Sequence, residues 1–106
     1  MKILFDQGTP VPLRKYLAEH SVATAYELGW HLFENGNLIA AADDAGFEVM
    51  VTTDQNLKYQ QNLTGRDISI IILTSTSWPR IREHVAEILN ALENLKPPSF
   101  IEIKIG

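Results

Sequence analysis

The 106-residue sequence contains no cysteine. This absence excludes disulfide scaffolds, cysteine-ligated zinc, iron–sulfur clusters and thiol nucleophiles, and it favours an intracellular protein. The sequence also has no apolar run long enough to cross a bilayer, and it reaches Asp6 before the core of a signal peptide could form. These absences predict a cytoplasmic protein with no membrane partner.

Basic residues are fewer than acidic ones. Nine lysines and arginines stand against thirteen aspartates and glutamates, which gives a formal net charge of -4. This balance excludes a polybasic protein that coats duplex nucleic acid, although it is compatible with a local basic patch. A chain of this length with 45 % hydrophobic and 21 % charged residues is typical of one globular domain. We therefore predict a single domain that spans residues 1–106.

Five segments have the composition of short strands, and helical patterns separate them. The strand-like segments are residues 2–5, 22–25, 49–52, 68–73 and 101–105. The helical patterns are one capped by Thr9, one capped by Asn35 and closed by Gly46, one capped by Asp54 over residues 57–62, and one from Pro79 to residue 95. This alternation predicts a three-layer α/β/α fold around a mainly parallel sheet.

The predicted strand order is 2-1-3-4-5, with the C-terminal strand at the edge in either a parallel or an antiparallel orientation. In such folds the functional crevice lies outside the carboxyl ends of the strands, at the point where the strand order reverses. Here that point falls between the first and third strands. The side chains that follow these two strands are therefore the candidates for chemistry.

Two carboxylates occupy those positions. Asp6 directly follows the first strand, and Asp54 follows the third. Each alone is typical of a structural residue, Asp6 of a turn former and Asp54 of a helix N-cap. At neighbouring strand ends the two like charges favour a cation between them, and a hard ion such as Mg²⁺ or Mn²⁺ prefers oxygen ligands. The pair therefore predicts a divalent-metal site formed by Asp6 and Asp54.

The chain resembles the PIN-like nuclease superfamily over residues 1 to about 73. The resemblance consists of Asp6 after a short apolar strand, the helical run NGNLIAAA at residues 35–42, and the run VMVTTDQNL at residues 49–57 with its threonine-x-aspartate turn. It is closest to the small, VapC-like, bacterial toxin-type branch. The resemblance implies a ribonuclease that hydrolyses phosphodiesters with Mg²⁺ or Mn²⁺, acts as a toxin and binds a cognate antitoxin.

The same resemblance assigns residues to the catalytic site. Asp6 and Asp54 match the acids that hold the metal ion. Asn35 and Asn56 stand where acids are common in the superfamily and are carried over as supporting polar groups, and Gln7 stands where a glutamate is frequent. Because an amide brings no charge to a metal ion, a PIN-like binding module that does not cleave RNA is an open alternative.

RNA binding requires cations near the crevice. Arg14, Lys15 and Lys58 lie in or beside helices that follow strand ends, and they are the RNA-binding candidates, with ordinary exposed charges as the alternative for each. Trp30 and Phe33 lie in an irregular segment after the second strand. Core packing is the common fate of such aromatics, whereas exposure would indicate a partner surface. The edge strand also offers a surface for a homodimer or for the antitoxin.

A further interpretation is a phospho-accepting receiver domain. Asp6, Asp54, Thr74 and Lys104 stand at positions that such a domain uses, and its sheet would have the same order. A receiver places two adjacent acids after its first strand, whereas Asp6 is followed by Gln7 here. The methionine-proline turn that receivers have after the phospho-accepting aspartate is also missing from the sequence. These departures rank the receiver below the ribonuclease.

Overall fold

The computed structural model describes residues 1–57 and 66–106. Its five strands form one sheet in the order β2-β1-β3-β4-β5, and all neighbouring pairs are parallel. The strands are β1 (Lys2–Phe5), β2 (Ser21–Thr24), β3 (Val49–Thr52), β4 (Ser69–Leu73) and β5 (Phe100–Ile103). The predicted order is confirmed. The C-terminal strand, for which both orientations were open, lies parallel to its neighbour.

The three inner strands are buried on both faces. Every residue of β3 and β4 is buried, and so is every residue of β1 except the first. A strand covered by helices on both sides has no solvent-facing side, which is why these segments have nearly continuous apolar sequences. The edge strands β2 and β5 are only partly buried.

Helical segments cover both faces of the sheet. In the two described ranges they are a 3-10 helix (Val11–Leu17), α1 (Asn35–Asp44), α2 (Trp78–Arg82) and α3 (Val85–Glu93), and the helix predicted over residues 57–62 lies outside these ranges after its first residue. The 3-10 helix, α2 and α3 pack on one face around Phe5 and Val51, whereas α1 packs on the other face around Leu4 and Met50. The described residues thus form the predicted three-layer α/β/α fold. Within residues 1–57 and 66–106, no helix is long and apolar enough to cross a membrane.

Two predicted helix caps are wrong. Thr9 does not cap the first helix, because its hydroxyl donates a hydrogen bond to the Val51 carbonyl oxygen (2.8 Å) and Pro10 occupies the N-cap position. Asn35 is the first helical residue of α1, whereas an N-cap residue has a non-helical backbone. At the other end of α1, Gly46 has a φ of +87°, as predicted for a left-handed C-terminal cap.

The single C-terminal helix predicted to begin at Pro79 is two helices. α2 begins one residue earlier, and α3 follows after a break at His84, whose backbone has a φ of -110° and a ψ of 14°. No proline or glycine lies at this break, so local sequence carries no signal for it. Both helices nevertheless turn an apolar face to the core, because Ile81, Ile88 and Leu92 are all buried.

Candidate functional site

The carboxyl ends of β1 and β3 meet where the strand order reverses. From β1 the chain passes to β2 on one side, and β3 then lies on the other side of β1. The register pairs Phe5 with Val51, and the Asp6 backbone N–H donates to the Val51 carbonyl oxygen (3.0 Å). Asp6 therefore lies beside the threonine-x-aspartate turn that follows Val51.

Thr52 links the two predicted acids. It is fully buried, and its hydroxyl donates a hydrogen bond to Asp6 Oδ2 (2.7 Å) and accepts one from the Asp54 backbone N–H (3.1 Å). The second carboxylate oxygen of Asp6 accepts the Gln7 backbone N–H (2.7 Å). Likewise, Asp54 Oδ1 accepts the Asn56 backbone N–H (3.0 Å). We call Asp6, Thr52 and Asp54 the carboxylate–threonine cluster, since one buried hydroxyl joins the two acidic residues.

The turn after β1 is held close to the turn after β3. The buried Thr9 hydroxyl donates to the Val51 carbonyl oxygen, which is the same atom that accepts the Asp6 N–H. Gly8 approaches Thr53 so closely that a Cβ at Gly8 would lie 2.5 Å from Thr53 Oγ1. A side chain at Gly8 would therefore force a neighbour to move, and the glycine permits the two turns to touch.

The oxygen atoms of the cluster are of the kind that a hard divalent cation binds. Its carboxylates and hydroxyl offer oxygen atoms, and one carboxylate can accept about four bonds. Mg²⁺ commonly binds a protein through one or two carboxylates and takes its other ligands from water and substrate phosphate. Among residues 1–57 and 66–106, no group of three or more histidine, aspartate or glutamate side chains is arranged to hold a metal ion. The metal ligands proposed here are therefore two carboxylates.

Four other predicted catalytic and RNA-binding residues are either exposed or outside the described residues. Asn56 is exposed and contributes its backbone N–H to Asp54. Lys15 is exposed on the 3-10 helix. Lys58 and the Asn35 side chain lie outside the described residues. The roles assigned to these four side chains stay predictions.

Arg14, the remaining RNA-binding candidate, forms an ion pair. Its guanidinium contacts both carboxylate oxygens of Glu27, with 3.3 Å between Nη1 and Oε2. Glu27 Oε1 also accepts the Thr24 backbone N–H (2.9 Å), and the Glu27 N–H donates to the Thr24 hydroxyl (3.1 Å). The hydrogen bonds from Arg14 first, and from Thr24 second, lower the pKa of Glu27 from 4.5 to about 2. A phosphate would have to compete with Glu27 for this guanidinium.

Thr74, which stands at a position that a receiver domain uses, forms hydrogen bonds with two neighbouring segments. The Thr74 hydroxyl accepts the Ile105 backbone N–H (2.8 Å), and Gln55 Nε2 donates to the Thr74 carbonyl oxygen (3.1 Å). Lys104 is exposed. Thr74 thus fastens the C-terminal residues and the segment after β3 to the end of β4.

Thr52 lies in the threonine-x-aspartate turn, but the resemblance assigns it no role. Glu27 is a sequence candidate for a further carboxylate at the site, with a solvated surface acid as the alternative. Thr24 and Glu27 have the spacing of a capping box, a local signal that predicts their reciprocal hydrogen bonds. The bond from Thr52 to Asp6 joins residues 46 positions apart. No local pattern reports such a pair, because it depends on the register between β1 and β3.

Comparisons with known proteins add no relative to this picture. No protein-family model, no curated protein and no solved structure matches the chain. Fold and site together define the class as an all-parallel α/β/α domain with a carboxylate–threonine cluster where its strand order reverses. The PIN-like resemblance and the activity it implies are accordingly proposals.

Proposed function

We propose that the protein is a divalent-metal-dependent ribonuclease of the PIN-like type. The observation that carries the proposal is the carboxylate–threonine cluster, in which the Thr52 hydroxyl bonds the carboxylate of Asp6 and the backbone of Asp54. A turn former or a helix N-cap needs no second acid beside it. Two carboxylates at neighbouring strand ends, where the strand order reverses, suit a metal ion that binds an RNA phosphate.

In this proposal each residue of the cluster has its own role. Asp6 and Asp54 hold Mg²⁺ or Mn²⁺, which when bound stabilises charge on the scissile phosphate and lowers the pKa of the attacking water. Thr52 is a positioning residue, because its hydroxyl fixes the direction of the Asp6 carboxylate. The PIN-like resemblance assigns Asn56 and Asn35 as supporting polar groups.

The proposal extends to the partners of the protein. Arg14, Lys15 and Lys58 contact the RNA backbone, with Arg14 exchanging its Glu27 carboxylate for a phosphate. The protein is the toxin of a toxin–antitoxin pair in the cytoplasm. Among the strands of the described ranges, β5 has a neighbour on one side only, so its other side can pair with an antitoxin segment or with a second copy of the chain.

A cleavage assay with matched acid-to-amide variants tests the proposal. Purified protein is incubated with labelled single-stranded RNA, with and without Mn²⁺, and Asp6→Asn and Asp54→Asn are each expected to reduce the cleavage rate by about a hundredfold or more. Asp67→Asn is the control, since Asp67 is an exposed acid before β4, at the opposite edge of the sheet. Cleavage that survives the Asp6→Asn/Asp54→Asn double substitution would overturn the proposal.

A PIN-like binding module is the second candidate. It is favoured by the amides at positions 35 and 56 and by the two-carboxylate ligand set, which attracts a cation less strongly than three or four acids would. Binding of RNA by the unmodified protein without any Mn²⁺-dependent cleavage would support this candidate. Labelling of Asp54 by a small phosphodonor would instead support the receiver domain.

A further inference from the structure

The turns that follow β2 present paired aromatic rings at the surface. We call residues 26–33 the aromatic segment. The rings of Tyr26 and His31 lie 5.0 Å apart between centroids, and those of Trp30 and Phe33 are stacked, with 6.2 Å between centroids and 15° between planes. Tyr26 is 68 % exposed and Phe33 is 45 % exposed, whereas Trp30 is half-buried. The expected core packing holds for Trp30 but not for Phe33.

Backbone hydrogen bonds hold the aromatic segment in one conformation. The Trp30 N–H donates to the Ala25 carbonyl oxygen (2.8 Å), and the Phe33 N–H donates to the Trp30 carbonyl oxygen (3.0 Å). Gly29 supplies a left-handed turn with a φ of +74°. The Trp30 ring also meets the Phe47 ring edge-on, with 6.1 Å between centroids. The exposed rings are therefore preorganised, which reduces the ordering cost of binding a ligand.

The aromatic segment begins next to the carboxylate–threonine cluster. The Ala25 N–H donates to the Phe5 carbonyl oxygen (2.9 Å), so β1 and β2 end side by side. Tyr26 is the next residue after Ala25, and Asp6 is the next residue after Phe5. A nucleotide chain with one phosphate at Asp6 would therefore bring a neighbouring base to Tyr26, the first residue of the aromatic segment.

The chemistry of the aromatic segment suits nucleobases better than phosphates. Residues 26–33 contain no lysine or arginine to attract a phosphate, and they include the acidic residue Glu27. The exposed ring faces of Tyr26 and Phe33 are polarisable and flat. Stacking on such faces tolerates any base, because every base has a π-face, and it depends little on charge.

We propose that the aromatic segment is a base-stacking subsite for single-stranded RNA, in which Tyr26 and Phe33 stack unpaired bases next to the phosphate held at Asp6. The inference rests on the proposed function, because RNA reaches this surface only if its backbone lies at the cluster. It specifies that function further, since bases already stacked in a duplex cannot use the subsite.

Ring-specific substitutions test the subsite by binding alone. The assay measures anisotropy of a labelled single-stranded RNA with the unmodified protein and Mn²⁺, and the RNA linkages are phosphorothioates so that hydrolysis is slow during the measurement. Tyr26→Leu and Phe33→Leu are each expected to weaken binding about tenfold, whereas Tyr26→Phe keeps a stacking ring and binds as the parent does. Leu32→Ala is the matched control, because Leu32 is the most exposed of the large apolar side chains described, at 85 %, but has no ring. Unfolding midpoints of all variants check that the fold is intact.

The outcomes separate this inference from the proposed function. Unchanged binding by Tyr26→Leu and Phe33→Leu, together with Mn²⁺-dependent cleavage by the unmodified protein, would overturn the subsite and leave the ribonuclease in place. Ring-dependent binding without cleavage by the unmodified protein would support the subsite and overturn the ribonuclease. Loss of RNA binding by Leu32→Ala as large as by Tyr26→Leu would show that binding does not depend on the aromatic rings, and it would overturn the subsite. Failure of the parent protein to bind single-stranded RNA would overturn both.

Discussion

At the carboxyl edge of the sheet, the carboxylate–threonine cluster after β1 and β3 and the aromatic segment after β2 lie side by side and are held by different interactions. The cluster depends on side-chain hydrogen bonds that converge on the fully buried Thr52 hydroxyl. The aromatic segment depends on backbone hydrogen bonds and leaves the Tyr26 ring largely exposed. Side-chain hydrogen bonds therefore define the cluster, whereas backbone hydrogen bonds define the course of the aromatic segment.

This difference predicts how each region responds to substitution. Removing the Thr52 hydroxyl takes one hydrogen bond from a part-buried donor and one from a part-buried acceptor, which costs stability as well as positioning. Truncating the exposed Tyr26 or Phe33 ring removes its contact with one neighbouring ring, and much of its surface already faces water, so stability changes little. Stability and activity are therefore coupled in the cluster and separate in the aromatic segment.

The largest effect is expected for Thr52→Val, which keeps the shape of the side chain and removes its hydroxyl. The Asp54 N–H and Asp6 Oδ2 each lose a partner, so we expect the free energy of unfolding to fall by about 1–3 kcal/mol. RNA cleavage should fall by about 10–100-fold, as is typical when a residue that orients a metal ligand is changed. Urea unfolding and the Mn²⁺-dependent cleavage rate measure the two effects. Thr52→Ser keeps the hydroxyl and should retain cleavage, and equal loss in the Val and Ser variants would contradict the role of the hydroxyl.

A smaller effect is expected for Gly8→Ala, which adds the Cβ that would lie 2.5 Å from Thr53 Oγ1. Thr53 is half-buried and can rotate away at some cost, so we expect a loss of about 1 kcal/mol in the free energy of unfolding. The added substitution Thr53→Ala removes the clashing atom and should restore most of the loss. Additive effects of the two substitutions in urea unfolding would show that they do not share this contact.

The smallest effect is expected in the aromatic segment, where Glu27→Gln removes the ion pair with Arg14. The folded protein holds the pKa of Glu27 near 2, below its ordinary value of 4.5. A lowered pKa contributes stability that is complete above about pH 4.5 and is lost as the pH falls toward about 2. The urea midpoint of the unmodified protein should therefore fall more steeply over this range than that of Glu27→Gln. Parallel curves would contradict the ion pair, and added salt should narrow the difference, because Glu27 is exposed.

Much of the fold was predictable from local sequence. The continuous apolar segments at β1, β3 and β4, and the glycine that closes α1, follow from burial on two faces and from the left-handed backbone at Gly46. Other features were decided by contacts between distant residues. Thr9 is a residue type that commonly caps helices, yet its hydroxyl donates a hydrogen bond to the Val51 carbonyl oxygen in β3 instead. The helix break at His84 contains no proline or glycine, so the local sequence does not predict it.

By itself, the sequence determined where the strands lie and that Asp6 and Asp54 follow two of them, because these features depend on the periodicity of neighbouring side chains. Only the tertiary structure decided that Thr52 joins the two acids and that Arg14 is engaged by Glu27. Both contacts depend on how elements that are apart in the chain are aligned. A shift of one residue in the pairing of β1 with β3 would turn Thr52 away from Asp6, since successive side chains of a strand point to opposite faces.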